Sequence, residues 1–344
     1  MKKRILYIDI LNIIAILAVL FLHHDFGVHY FSQDKRWIFD TILKIVMYFC
    51  IPVFLMITGA NLLGYKQKYD TKTYFRKRVI KIIIPMVAWF IIVGCIRFFV
   101  FKNLNIPTDS ITSFINFIMR SGVLDYYWYL FLIIAVYFTI PILSPLSENK
   151  NRALLKYAIV VIFVCNAFMP NIMALVGVEW NQDLLVKVGT YMIFPLIGFY
   201  ISKYNITKRR NRILLYSLGL MAIIYQFIST VVLSYVANKS VLTTLGYVQF
   251  PTILYSSAIF CFVRNINMKE DVNCRAKKFL STLAGCSFGV YLIHYIVMKW
   301  EAQAFSIRGE SFAWRFICPF LTYTISVAIV LVIKKIPIVR KIVP

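Results

Sequence analysis

Four side chains in this sequence titrate near neutral pH, and they are His23, His24, His29 and His294. Two of them end the run AVLFLHHDFG, and His294 lies inside GCSFGVYLIHYIVM. An ionisable group within an apolar helix should face a cavity or a partner rather than lipid. Imidazole suits proton transfer as a general base, and it can also form a covalent acyl intermediate. The competing interpretation is an interfacial residue at a helix end.

Asp9, Asn12 and His23 share one stripe of the first apolar helix. Asp9 and His23 are separated by about 21 Å of rise and about 40° of rotation, whereas His24 points about 100° away. Asp9 is therefore too distant to orient His23 as an aspartate does in a catalytic triad. The stripe instead predicts a polar channel along the helix. The nearer candidates for a partner of His23 are Asp25, His24 and His294.

A basic run, YFRKRVIKIIIP, enters the third apolar stretch and carries Arg76, Arg78 and Lys81. Arg78 and Lys81 are three residues apart, so a regular helix would present them on one face. The run predicts either an anchor for anionic lipid or a site for a cytosolic phosphorylated cofactor. Both interpretations place these cations where headgroups meet the cytosol.

Aromatic residues begin the next stretch, DYYWYLFLIIAVYFTIP, with Tyr126, Tyr127, Trp128 and Tyr129. Such a cluster is typical of the aromatic belt at a membrane surface. Flat aromatic faces also suit sugar rings, so a belt and a glycan site are compatible interpretations.

The elements that position these residues are transmembrane helices. The chain has 344 residues, is 60% hydrophobic and has a mean hydropathy of +0.75. Apolar runs of 18 or more residues indicate membrane spans. The runs predict an all-α integral membrane protein with one polytopic bundle of about ten helices. The predicted spans are 5–23, 40–63, 79–101, 124–143, 157–176, 184–202, 213–236, 246–263, 279–298 and 312–333.

The net charge of +24 reports orientation rather than nucleic-acid binding. We predict that both termini are cytoplasmic, because most of the 38 Lys and Arg residues then fall in cytoplasmic segments, as the positive-inside rule requires. The seven cysteines form no CxxC pair and lie mostly in apolar runs. They predict neither a disulfide framework nor a metal site.

Five stretches occur in a fixed order: YIDILNIIAILAVLFLH, PVFLMITGANLL, RKRVIKIIIP, WYLFLIIAVYFTIPIL and SFGVYLIH. Together they resemble the motifs of the acyltransferase-3 family of membrane acyltransferases, which O-acylate bacterial surface glycans. The resemblance covers nearly the whole chain and implies a single transmembrane acyltransferase domain at 1–344. His23 takes the family's histidine position, whereas Asn12 stands where the family has an arginine. Lys81 stands where a second arginine is common.

The resemblance implies a bacterial cytoplasmic membrane enzyme that takes an acyl group from acyl-CoA, by default acetyl-CoA, on the cytoplasmic side. The acceptor would be a hydroxyl of a capsular or extracellular polysaccharide outside, and membrane lipid would surround the bundle. His23 would act as general base or form an acyl-histidine, with Asp25 and His294 completing the catalytic group. The donor would contact Asp9, Asn12, Arg76, Arg78 and Lys81, and the acceptor would contact His24, Tyr127, Trp128 and Tyr291.

Asn12 can offer only uncharged hydrogen bonds to an anionic donor. Arg76, Arg78 or Lys81 would then compensate, or the donor would differ, or this copy would be impaired. The non-enzymatic alternative is a flippase for a lipid-linked glycan, which would also need a polar stripe and kinked helices. Such a transporter predicts charged residues at mid-depth in several spans, whereas only a few charges approach the core here, of which Asp9 and Arg97 are the nearest.

Overall fold

The protein was analysed as a computed structural model that describes residues 5–24, 27–102, 105–107, 109–266, 274–307, 309 and 311–344. Within these ranges the regular elements are helices and no strand is present. The α-helices are α1 (Leu6–His23), α2 (Lys35–Met47), α3 (Cys50–Leu62), α4 (Thr71–Arg78), α5 (Ile84–Cys95), α6 (Ile111–Met119), α7 (Trp128–Leu143), α8 (Arg152–Phe163), α9 (Met169–Leu175), α10 (Ile193–Tyr204), α11 (Arg209–Ala237), α12 (Phe250–Asn265), α13 (Cys274–Ala304) and α14 (Cys318–Lys335).

Eight helical segments in the described ranges are long and apolar enough to cross a membrane. They are Leu6–His23, Lys35–Gln67, Thr71–Val100, Asp125–Ser147, Asn149–Leu175, Arg209–Ala237, Cys274–Ala304 and Ala313–Lys335. The all-α membrane architecture predicted from the sequence is therefore confirmed. The other two predicted spans, 184–202 and 246–263, coincide with the shorter helices α10 and α12, of 12 and 16 residues.

Glycines allow α3 and α10 to pack with their backbones in direct contact. A Cβ atom on Gly59 would lie 1.9 Å from the carbonyl oxygen of Pro195. A Cβ atom on Gly198 would lie 2.1 Å from the carbonyl oxygen of Met56. Helices in lipid have little hydrophobic driving force to associate, and close packing at small residues favours their association instead. This crossing fixes α3, which forms part of the wall of the candidate site.

Prolines explain three short π-helical segments within the long spans. The segments Val79–Ile83, Val164–Phe168 and Ala313–Ile317 are each followed by a proline two residues later. Proline lacks an N–H and its ring clashes with the carbonyl four residues earlier, so the local helix widens. The residues four positions before Pro85, Pro170 and Pro319 are Lys81, Asn166 and Arg315. Each widened turn therefore carries one polar side chain.

Two of these polar side chains hold neighbouring segments in place. Asn166 Oδ1 accepts from the Val186 amide at 2.7 Å, which fixes the chain before α10. Arg315 Nη1 lies 2.6 Å from Asp40 Oδ1, and both side chains are buried. This ion pair joins the π-helical turn before α14 to α2. Both α2 and α14 pack against α1.

Candidate active site

Three rings from three elements meet at the C-terminal end of α1. The ring centroids of His23 and His294 are 5.1 Å apart with an interplanar angle of 25°. The Tyr126 ring lies 3.7 Å from His23 and 5.7 Å from His294, measured between centroids. Among the described residues, no hydrogen bond holds the His23 imidazole. Its ring is placed by stacking alone, and the residue is half-buried.

Hydrogen bonds between the start of α7 and α13 set the position of this ring cluster. The Tyr291 hydroxyl donates to the Tyr126 carbonyl, and the Tyr127 hydroxyl donates to the Leu292 carbonyl at 2.8 Å. His294 Nδ1 lies 2.6 Å from the Tyr291 carbonyl. Because a carbonyl only accepts, Nδ1 carries the hydrogen, and neutral His294 has an unprotonated Nε2.

The Nε2 atom of His294 is buried and has no hydrogen-bond partner among the described residues. Most buried polar atoms in proteins are paired, so an unpaired acceptor next to His23 needs an explanation. A substrate hydroxyl donating to this nitrogen would provide one.

His24 lies on a different side of α1 and belongs to a separate polar chain. Its Nδ1 lies 2.7 Å from the Leu20 carbonyl, and its Nε2 lies 3.3 Å from Thr322 Oγ1. The Thr322 hydroxyl donates to Glu301 Oε2 at 2.6 Å. These side chains are fully buried, with the Trp314 ring 4.6 Å from the His24 ring. Among the candidate partners of His23 that the structure describes, His294 contacts its ring, whereas His24 does not.

The N-terminal part of the α1 stripe faces α13. Asp9 is buried, and its Oδ2 accepts from the Ser281 hydroxyl at 2.5 Å. Asn12 Nδ2 donates to the Ile8 carbonyl at 2.9 Å, and its side chain lines a cavity. Asp9, Asn12 and His23 therefore all contact or face the same helix, as their spacing predicts.

A cavity of about 330 Å³ lies beside α1 and α13, and it is named the donor-side cavity after the role proposed for it below. Its wall includes Asn12, Val19, Lys81, Ser287, Tyr291 and Lys334. Val19 is one helical turn before His23, and Tyr291 is one turn before His294. One end of the cavity is therefore adjacent to the rings, and the other end carries two lysines.

The basic residues of the run before α5 separate in the structure. Lys81 lines the donor-side cavity, whereas Arg78 lines an apolar groove of about 260 Å³ with Phe138 and Ile134. The Arg78 guanidinium carbon lies 5.5 Å from the Tyr137 ring centroid. Arg78 and Lys81 do not share a face as a regular helix would require. The π-helical segment Val79–Ile83 begins directly after Arg78 and contains Lys81, and its wider turn rotates Lys81 away from Arg78.

Three further predicted site residues are Arg76, Trp128 and Asp25. Arg76 is exposed and lines neither of these two spaces. Trp128 lies in an aromatic cluster, with its ring 5.7 Å from Tyr247 and 6.3 Å from Tyr191. Asp25 lies outside the described residues. In the part of the chain that the structure describes, no group of three His, Cys, Asp or Glu side chains is placed to hold a metal ion.

Several residues of this region were not found from the sequence. Tyr126 was assigned only to an aromatic belt, although its ring contacts His23. Lys334 and Ser287 line the donor-side cavity from α14 and α13. Lys334 ends the last span, where a lysine also satisfies the positive-inside rule, so no signal set it apart. The sequence does carry a signal for Ser287, because it lies four residues before Tyr291 and the two side chains therefore share one face of the helix.

The arrangement suits transfer of a group between two molecules. A half-buried imidazole lies one helical turn beyond a residue of the cavity wall, and a second imidazole beside it has an acceptor nitrogen without a partner among the described residues. The cations lie at the far end, where they do not touch the reacting centre. A proton transfer at His23 and an anionic substrate extending toward the lysines fit this geometry.

The comparisons with known proteins agree with this chemistry. Residues 5–333 match the model of a family described as an acyltransferase domain. No curated protein and no solved structure matches the chain.

Proposed function

Because this chain belongs to the acyltransferase-3 family and is a membrane acyltransferase, we propose that it O-acylates a surface glycan. The donor is acyl-CoA on the cytoplasmic side of a bacterial cytoplasmic membrane, with acetyl-CoA as the default donor. The acceptor is a hydroxyl of a capsular or extracellular polysaccharide on the outer side. Both termini are cytoplasmic in this proposal.

One observation carries the proposal, namely that the wall of the donor-side cavity includes the residues one helical turn before His23 and His294. The cavity extends from Lys81 and Lys334 to Val19 and Tyr291, which lie one turn from the two histidines. Asn12 and His23 are eleven residues apart, which corresponds to about 16 Å of rise along α1. A flexible arm that enters between the lysines would therefore place its reactive end near His23.

The residues present fit an acyl-CoA donor. The lysine ammonium groups suit phosphate, and the apolar wall formed by Ile51 and Phe54 suits an extended arm. The buried Ser287 hydroxyl lines the same wall and has no hydrogen-bond partner among the described residues. Asn12, Lys81 and Ser287 would hold the donor, and the donor supplies its acyl group as an activated thioester.

His23 acts as the general base in this proposal. Its ring accepts the proton from the acceptor hydroxyl as that oxygen attacks the acyl carbon, and it returns the proton to the departing sulfur. General-base catalysis of this kind contributes roughly 10²- to 10⁴-fold to a rate. His294 Nε2 accepts a hydrogen bond from the same hydroxyl or from a neighbouring one, which orients the sugar.

The aromatic cluster around Trp128 is the proposed contact for the glycan. Tyr247 stacks on Tyr48 with centroids 4.5 Å apart, and Trp128 lies beside this pair. Aromatic faces offer apolar area with a polar edge, as a sugar ring requires. Trp128 follows two residues after Tyr126, whose ring contacts His23.

Vesicles with both substrates on opposite sides test this proposal. The purified protein is reconstituted into vesicles that enclose a capsular polysaccharide fragment, and acetyl-CoA with a labelled acetyl group is added outside. We expect labelled, base-labile ester on the enclosed glycan. If the glycan stays unlabelled while the protein consumes no acetyl-CoA, the proposed function is wrong.

A histidine variant and its matched control sharpen the result. His23→Ala should eliminate the labelled ester. His29→Ala should retain it, because His29 is exposed, and its Nε2 interacts with Lys44 Nζ at 2.8 Å rather than with the ring cluster. Equal loss in both variants would indicate damage to the outer end of the bundle instead of loss of the base.

A further inference from the structure

The groove that Arg78 lines opens on the surface of the bundle, between the spans Thr71–Val100 and Asp125–Ser147. We call it the Arg78 groove. Its volume is about 260 Å³, and apart from Arg78 and one tyrosine hydroxyl its wall consists of aliphatic and aromatic side chains. Val79 and Phe138 in this wall are 41% and 60% exposed. Because both spans are apolar enough to cross a membrane, this face of the bundle meets lipid.

The groove begins at the polar boundary of the membrane and continues into its apolar part. Arg78 is the last residue of the polar helix α4, TKTYFRKR, and the predominantly apolar stretch VIKIIIPMVAWF begins at Val79. Such a boundary lies at the level of the lipid headgroups. On α7, the Phe138 ring lies 5.7 Å from the Phe75 ring, and Ile134 lies one helical turn deeper. The groove therefore runs from the headgroup level, where its one cation lies, into the apolar part of the membrane.

Aromatic rings hold the Arg78 guanidinium at this end of the groove. Its carbon lies 5.8 Å from the Tyr74 ring centroid and 5.5 Å from the Tyr137 ring centroid, and the Tyr137 hydroxyl interacts with the guanidinium. The Nε atom is buried and has no hydrogen-bond partner among the described residues, and no carboxylate in that part of the chain forms an ion pair with Arg78. Buried donors are rarely left unpaired in proteins. A phosphate oxygen suits a guanidinium as acceptor, because the hydrogen bond between them is charge-assisted.

We propose that the Arg78 groove binds an anionic phospholipid of the surrounding membrane, with its phosphate at Arg78 and one acyl chain along the apolar wall. The cation requires an anion, the wall requires a long apolar chain, and a phospholipid at the membrane surface carries both in one molecule. The inference assigns Arg78 to lipid rather than to the acyl donor. It goes beyond the proposed function and does not depend on it, because the groove and the donor-side cavity share no lining residue among those described.

Equilibrium binding of three probes to the purified protein in a non-ionic detergent tests the inference. The probes are dioctanoyl phosphatidylglycerol, dioctanoyl phosphatidylcholine and glycerol 3-phosphate, which has a phosphate but no acyl chain. The wild type should bind the anionic lipid most tightly. Arg78→Gln should weaken binding of the anionic lipid by roughly 10- to 100-fold, as expected for one charge-assisted hydrogen bond, and should remove the preference over phosphatidylcholine. Arg76→Gln, which removes an exposed cation outside the groove, should leave both lipid affinities almost unchanged.

Filling the groove tests the position of the acyl chain separately. Ile134→Trp should remove most of the binding of both lipids, whereas Ala135→Trp, at an exposed neighbour outside the groove, should retain it. Arg78→Lys keeps the charge and should keep the preference for the anionic lipid, which separates loss of the contact from loss of the fold.

Four results would overturn the inference. They are a wild type without preference for the anionic lipid, equal weakening by Arg76→Gln and Arg78→Gln, wild-type lipid binding in Ile134→Trp, and glycerol 3-phosphate that binds as tightly as the anionic lipid. The last result would mean that the apolar wall contributes nothing to binding.

Discussion

Tyr291→Phe removes the hydroxyl that ties α13 to the backbone of Tyr126 while leaving the aromatic ring in place. Tyr291 is 5% exposed, and its hydroxyl donates to the carbonyl of the residue whose ring contacts His23. Hydrogen bonds between helices in a membrane contribute about 0.6 to 1.7 kcal/mol. Each factor of ten in an equilibrium constant corresponds to about 1.4 kcal/mol. The loss therefore lowers the equilibrium constant for holding Tyr126 against His23 by roughly 3- to 20-fold.

We therefore expect kcat for acyl transfer to fall by about this factor. The KM for the acyl donor should stay within about twofold, because the Tyr291 ring still forms the cavity wall. The assay is the steady-state rate of glycan acylation by reconstituted protein at varied donor concentration. Thermal unfolding of the same samples gives the change in stability.

Tyr255→Phe is the matched control for this prediction. The Tyr255 hydroxyl donates to the Ile45 carbonyl at 2.8 Å, which is also a buried tyrosine-to-carbonyl bond between helices. It joins α12 to α2 and does not contact the ring cluster. Both variants should lose similar stability, but only Tyr291→Phe should lose kcat. A wild-type kcat in Tyr291→Phe, despite lost stability, would refute the link between Tyr126 placement and catalysis.

Two further predictions concern the packing that supports the site. Gly59→Ala should lower the thermal midpoint by an amount equivalent to about 3 kcal/mol or more, because its Cβ would lie 1.9 Å from the carbonyl oxygen of Pro195. Gly64→Ala is the control and should be tolerated, because the atom nearest to its Cβ would lie at 3.6 Å. Equal midpoints for the two variants would argue against direct backbone contact between α3 and α10. Asp40→Ala should lower the free energy of unfolding by about 3 to 5 kcal/mol, because the buried Arg315 charge loses its ion pair with Asp40. The double variant Asp40→Leu with Arg315→Met should recover part of that loss. A thermal midpoint in Asp40→Ala equal to that of the wild type would show that this ion pair does not clamp α2 to α14.

The membrane architecture was predictable because long apolar runs have few structural alternatives. Eight of the predicted spans coincide with helices that are long enough to cross a bilayer. The shorter helices α10 and α12 are buried over more than half of their residues, and α10 begins only after the chain that Asn166 holds. An apolar run alone does not distinguish a helix that meets lipid from one surrounded by protein.

The α1 stripe was predictable from helical periodicity, since α1 is regular from Leu6 to His23. The relation between Arg78 and Lys81 was not, because the π-helical turn changes the rotation between them. Pro85 carried the signal for that turn, but its effect on side-chain direction required the structure. The same holds for Arg315 and Pro319, whose turn directs the arginine to Asp40.

The convergence of distant residues was the part that the sequence could not provide. His23 and His294 stack although nearly the whole chain separates them. Lys334 reaches Gly285 across 49 residues, and its lysine identity also fits a simple helix-end charge. Glu301 and Thr322 join His24 through side chains that no local pattern pairs. Tertiary packing, rather than spacing, decides these contacts.

The central claim is that His23 is the base of an acyl transfer. Its most direct measurement is the single-turnover rate of acyl transfer from bound acetyl-CoA to a glycan acceptor, comparing wild type with His23→Gln. We predict a rate lower by roughly 10²- to 10⁴-fold, with binding of coenzyme A within about twofold of wild type. A His23→Gln protein that transfers acetyl groups at the wild-type rate would contradict the account.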